Sequence, residues 1–180
     1  MRMSGYCFQV PPRSLDSITA SADVFRQALG VQGDKFPLVD VMEKIIPSLW
    51  EGFSLVVGEM GEMGSAHGLA FPEKGEIWLR EDVYEGYLAG QGRDRFTAAH
   101  ELGHLLLHNN IGMARSIKSP TELKPYENSE WQANTFAGAL LIPVETARRL
   151  GNEVDLVDAC GVSFDAARVR LAQLRRNRKI

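Results

Sequence analysis

The stretch His100-Glu101-Leu102-Gly103-His104 decides how the rest of the chain is read. On a helix, positions four apart lie on one face about one turn from each other. His100 and His104 can then aim two imidazole nitrogens at a single tetrahedral Zn2+. Glu101 stands about 100° further round, too far to share the ion but within reach of a water that the ion polarises. The chain holds only 4 His in 180 residues, so a chance match to this pattern falls below about one in a hundred.

Around the motif, Ala98, Ala99, Leu102, Leu105 and Leu106 form an apolar arc opposite the two histidines. That arc predicts a helix over 93–108 that buries its leucine side and turns its metal-binding side to a cleft. Gly103 costs about 1 kcal/mol inside such a helix relative to Ala; close approach of a neighbouring backbone or simple tolerance both account for it.

Two histidines do not complete a zinc site, so a third donor must come from elsewhere. Ser129-Glu130-Trp131-Gln132 reads as a capping box that opens a second helix over 129–142. Its core face is Ala133, Phe136, Ala137, Leu140 and Leu141. Glu130 at its mouth would give two histidines, one carboxylate and an open position. The alternative is an ordinary first-turn carboxylate favoured by the helix dipole. Asn134 shares the face of Glu130 and can accept the outer N–H of a ligand histidine.

Other candidates are less determined. His108, one turn beyond His104 and about 12 Å from His100 along the axis, either orients a neighbouring group or caps the helix C-terminus. Tyr126 either donates to a tetrahedral oxyanion or packs. His67, Trp78 and Trp131 read as structural.

The whole chain sets the frame. Its 180 residues suffice for one domain over 1–180, with 44% hydrophobic and 24% charged residues, ordinary globular values. A net charge of −3 argues against wholesale nucleic-acid binding. Cys7 and Cys160 form no CxxC pair and read as reduced thiols. No signal peptide and no membrane-length apolar run is evident, which places the chain in the cytoplasm.

The predicted fold class is α+β: a mainly helical, zincin-like domain with a small, about three-stranded antiparallel sheet and a C-terminal helical hairpin. N-terminal helices occupy about 14–50: one over 15–30 capped by Ser14 or Asp16, one over 37–46 ended by Pro47. The sheet covers about 53–80, with strands at 53–57, 66–71 and 76–80 and a tight turn at Pro72–Gly75. The stretch between the first two strands reads as a flexible loop, 81–92 as a connection and 109–127 as a long loop. Metal-site helices fill about 93–143 and further helices about 144–178. The segment 157–176 superficially resembles a helix-turn-helix, but a packed hairpin with a solvated basic tail, including Arg168, Arg170, Arg175 and Arg176, is preferred.

RFTAAHELGHLLLH (95–108) followed by EWQANTFAGALLIP (130–143) resembles the ImmA/IrrE family of zinc metallopeptidases. That family shows HExxH and then E-x-x-A-N/D-x-F-A-x-x-L-L-x-P. The stretches 77–86 and 161–171 are also similar, so the likeness covers about 35–175. It implies a gluzincin-like site with His100, His104 and Glu130 on zinc and Glu101 as general base. It also implies a peptide-bond hydrolase acting on a helix-turn-helix repressor encoded nearby, in phage, mobile-element or stress control. Zn2+ is the expected metal, though the same donors accept other divalent ions such as Mn2+. A substrate backbone would pair with an exposed sheet edge, expected at Glu76–Arg80. The rival reading is a non-catalytic metal-binding regulator, or a toxin–antitoxin component, that binds a DNA-binding partner without cutting it.

Overall fold

The computed structural model describes residues 8–109 and 123–180. Cys7, Pro120 and most of the 109–127 loop lie outside those residues. Helix α1 (Leu15–Ala28) is followed by α2 (Leu38–Asp40), a π-helical turn (Val41–Ile45) and α3 (Ile46–Leu49). Then come β1 (Ser54–Gly58), the one-turn helix α4 (Met60–Met63), β2 (Gly68–Phe71) and β3 (Glu76–Arg80). Helices α5 (Glu81–Leu88), α6 (Gly92–Leu107), α7 (Ser129–Leu141), α8 (Val144–Leu150), α9 (Glu153–Cys160) and α10 (Phe164–Arg176) complete the α+β architecture.

The sheet is mixed, which corrects the antiparallel expectation. Its order is β1-β3-β2. β2 and β3 pair antiparallel, as the Pro72–Gly75 turn requires, but β1 pairs parallel to β3. The chain leaves β1, passes through α4, and lays β2 two strand positions away, so β3 returns between them. Glu76–Arg80 is therefore the central strand with both edges paired, not the exposed edge expected. Ile77 and Leu79 on it are fully buried. Among the described residues, β2 pairs with β3 alone.

Three local expectations change for identifiable reasons. The predicted flexible loop after β1 holds α4, because Met63 packs down over Gly58, where a Cβ would stand 2.6 Å from the Met63 sulfur. The predicted connection at 81–92 begins with α5, whose buried Val83 and Tyr87 repeat at helical spacing. The second helix does not stop at Pro47. The Ile46 N–H reaches Val41 O, a five-residue step, and Pro47 opens the next α-turn. Widening the turn just ahead of a proline that cannot donate lets the helix run on to Leu49.

The core lies between α1, α6, α7 and the sheet, with α10 closing one end. α7 is its axis: Ala133, Phe136, Ala137, Leu140 and Leu141 are all at most 1% exposed. Buried arginines close the carbonyls at its C-terminal end. Arg26 donates to Leu140 O at 2.8 Å and Arg170 to Ile142 O at 3.2 Å, supplying partners that a helix terminus lacks. Arg170 is only 2% exposed, so it is no part of the solvated basic tail expected for it. α9 and α10 form the packed hairpin, turning at Gly161 with φ +63°.

α6 and α7 cross closely at Gly103. A Cβ there would lie 3.2 Å from Ala133 O and 3.2 Å from a Phe136 ring carbon. Backbone approach, not mere tolerance, accounts for this glycine. Behind it, Ala98, Ala99, Leu102 and Leu105 are buried as expected, whereas Leu106, at the edge of the arc, is 38% exposed.

Because Leu102 is fully buried where α6 meets the core, Leu102→Ala is expected to cost about 2–5 kcal/mol. Urea denaturation followed by circular dichroism measures this. In native protein Cys160 is expected to resist alkylation at pH 8, since burial pushes its thiol up to about 11. Peptide mapping with and without urea reads the difference.

Candidate metal centre

The two-faced pattern of α6 sets His100 and His104 on the side turned toward the mouth of α7. There α7 begins one residue earlier in its capping than the sequence suggests. Asn128 is the N-cap, its Oδ1 accepting from the Glu130 N–H at 2.8 Å and the Trp131 N–H at 3.1 Å. Ser129, expected to cap, instead accepts through Oγ from the Phe8 N–H. Gln132, expected to reach back in a capping box, donates to Pro11 O at 2.9 Å and Tyr126 O at 2.8 Å. The residues at 8–13 run antiparallel to 126–129 and take these polar groups for themselves. Val10 N–H donates to Glu127 O, Arg13 N–H donates to Tyr126 O, and Gln9 bridges Asn128.

The consequence is that Glu130 faces both histidines. His100 Nε2 lies 3.3 Å from Glu130 Oε2, His104 Nε2 lies 3.2 Å from Glu130 Oε1, and the two Nε2 atoms are 3.0 Å apart. Donors about 2.05 Å from one ion at tetrahedral angles stand roughly 3.3 Å apart. The three side chains of this group therefore have close to the spacing that a tetrahedral Zn2+ demands. Their outer atoms are also committed. His100 Nδ1 meets Asn134 Oδ1 at 3.0 Å, and His104 Nδ1 meets His108 Nδ1 at 3.1 Å.

The electrostatics match the geometry. Burial works against a charge on Glu130, but the imidazoles of His100 and His104 outweigh it and hold the carboxyl well below the usual range. Burial likewise opposes a charge on His100, yet Glu130 and Glu101 raise its proton affinity on balance. Glu101 behaves oppositely: it is 7% exposed, and burial raises its carboxyl above the usual value against the pull of His100 and His104. Two carboxyls on neighbouring helices are thus pushed apart, one toward its ionised form and one toward its protonated form.

Glu101 owes its burial to β2. A Cβ on Gly68 would stand 2.7 Å from Glu101 Cγ and 2.8 Å from its Oε1. Sequence reasoning passed over Gly68, although an isolated glycine opening a strand is a known sign of close approach. Gln132 was read only as a cap. His108 takes the C-cap position of α6, as one expectation had it, but burial followed by the nearby His104 lowers its imidazole to about 3. It is a neutral residue there, not a cation on the helix end. Tyr126 ends up 40% exposed in a 3-10 turn, with Lys124 5.7 Å over its ring. His67 precedes β2 and sits between Arg80 at 3.1 Å and Arg93 at 3.4 Å. Trp78 donates to Glu76 and packs edge-on against Phe71.

Glu130→Gln is expected to weaken Zn2+ binding by more than about 100-fold, beyond the 10–100-fold typical of losing a ligand's hydrogen-bond partner. Competition with a chromogenic chelator measures it, with circular dichroism as the control for folding.

Comparison with known proteins gives a family and a likeness of fold. No curated protein matches the chain closely enough to count as a relative. A solved structure described as a Mycobacterium tuberculosis transcriptional regulator superposes with a TM-score of 0.62 at 22% identity. The match covers 90% of this chain and 48% of that one, so the chain spans about half the length of that structure, and the likeness is one of fold. A peptidase-family model described as the IrrE N-terminal-like domain matches residues 60–172, from α4 through α6 and α7 into α10. With well over half of its length matched, α6 and α7 included, the chain belongs to the IrrE N-terminal-like domain family.

Proposed function

We propose that this protein is a metal-dependent endopeptidase that cuts a partner protein, with His100, His104 and Glu130 holding a zinc ion. The observation that carries this reading is the pairing of a converging three-donor group with a second, buried carboxyl on the same helix turn. A site meant only to hold a metal for stability gains nothing from the second.

A zinc ion held there would supply Lewis acidity, polarising a peptide carbonyl and making a water more acidic. The rest is done by side chains. Glu101 accepts a proton from the attacking water on its carboxyl oxygen and then delivers it to the leaving amine nitrogen. Its raised proton affinity suits both halves of that transfer. Asn134 accepts from His100 Nδ1, so the ring turns Nε2 inward toward Glu130. Gly68 lets the backbone of β2 come down over Glu101 and exclude water from its far side. With β3 in the centre of the sheet, β2 is the strand beside Glu101 to which a substrate backbone would add.

The partner we favour is a helix-turn-helix repressor, as the family resemblance implies. The structural neighbour, described as a transcriptional regulator, is consistent with a regulatory setting.

Glu101→Gln is the decisive test. The purified variant is expected to bind Zn2+ as the wild type does and to lose cleavage of a co-encoded repressor by at least about 100-fold, the scale of a lost general base. A variant that still inactivates the repressor sinks the peptidase reading and leaves a binder that acts without cutting. Gly68→Ala is expected to retain Zn2+ and lower turnover about tenfold or more, because displacing a positioned group by about 1 Å is costly. Steady-state cleavage of a labelled peptide reads this.

A further inference from the structure

His104 and His108 face one another through their Nδ1 atoms at 3.1 Å, so one ring must donate and the other accept. The direction is fixed from the far end of a short chain of hydrogen bonds. The Gln132 amide nitrogen has two N–H groups, and both go to backbone carbonyls, of Pro11 and of Tyr126. Turning the amide over would set its oxygen against two carbonyl oxygens, so its orientation has one solution. Gln132 Oε1 therefore accepts, and His108 Nε2, 3.2 Å away, donates.

His108 is 6% exposed and its two ring nitrogens meet an amide oxygen and another imidazole. Neither offers it a negative charge, a costly setting for a buried cation. The ring thus carries one proton, on Nε2, and its Nδ1 keeps a lone pair. His104 must donate from Nδ1. Its other nitrogen, Nε2, is the atom that faces His100 and Glu130, and in the neutral ring it is the one left to bind an ion.

We propose that Gln132 and His108 are positioning residues that lock His104 in its Nδ1–H tautomer and so present Nε2 to the metal. The inference rests on the reading of His100, His104 and Glu130 as a metal site. It gives the buried, neutral His108 and the unused capping glutamine a single purpose. It also ties the ion's surroundings to residues 8–13, since Pro11 O is one of the two acceptors that hold the Gln132 amide in place. His100 is served by Asn134 from its own side, so each ligand histidine has a separate outer partner.

The test uses the full chain labelled with 15N at histidine. Long-range proton–nitrogen spectra of metal-free wild type are expected to show His104 protonated at Nδ1 and His108 at Nε2. In His108→Phe the acceptor is gone, and either nitrogen of His104 can carry the proton. Its spectrum is expected to become that of a tautomer mixture, and Zn2+ affinity to fall about 10–100-fold. His108→Asn returns an amide oxygen near the place of Nδ1 and is expected to restore the tautomer and most of the affinity. The proposal is overturned if wild-type His104 carries no proton on Nδ1, if His108→Phe keeps both tautomer and affinity, or if His108→Asn behaves as Phe does. Should His108→Phe not fold, the wild-type spectrum and the Asn variant decide. A wild type that takes up no Zn2+ would defeat the metal reading alone, because the metal-free spectrum still reports the tautomer.

Discussion

The crossing of α6 and α7 at Gly103 is the constraint on which the site depends. A Cβ at Gly103 would stand 3.2 Å from the Ala133 carbonyl oxygen, so a side chain there would press the α7 backbone back by a few tenths of an ångström from the turn of α6 that carries His100 and His104. At the present separation Glu130, three residues before Ala133, reaches both imidazoles, and Asn134, one residue after it, reaches the back of His100. A wider crossing would draw Glu130 away from contacts with the histidines that now measure 3.2 and 3.3 Å. The leucines behind α6 and the apolar length of α7 supply the burial that holds the crossing shut.

Around that crossing, neighbouring elements divide the two glutamates of the site by environment. Glu130 sits at a helix mouth between imidazoles and stays ionised; Glu101 lies under β2 and is pushed toward its protonated form. The difference does not come from the residue type, which is the same. It comes from Gly68, which brings a strand over one carboxylate, and from the two histidines, which face the other. The mixed sheet matters here because its order makes β2 an edge strand, and that strand packs against α6.

The N-terminal segment has a part in the site that its irregular sequence conceals. Residues 8–13 bond to the turn at 126–129 and so anchor the start of α7. Pro11-Pro12 forbids helix there and leaves the carbonyls free to accept. This long-range pairing displaced two local expectations at once, taking Ser129 away from capping and Gln132 away from the capping box. Local capping rules assume that the helix mouth faces water; here it faces another stretch of chain.

By itself the sequence determined what period and spacing carry. The i, i+4 histidines fixed one pair of imidazoles on a shared face, and the opposing arc of alanines and leucines fixed which side of α6 is buried. The tight turn at Pro72–Gly75 fixed a hairpin, and Gly161 the bend before α10. These are properties of residues close along the chain, where helix and turn geometry set distances directly. Only the tertiary structure decided the rest. The parallel pairing of β1, the burial of Arg170 and the direction of hydrogen bonds through Gln132 all join residues far apart along the chain. No local period encodes such contacts; they arise when apolar faces pack and every buried polar group must find a partner. Glu130 stands between the two cases: the sequence offered it as a donor, and the approach of α7 to α6 brought its carboxylate to the histidines.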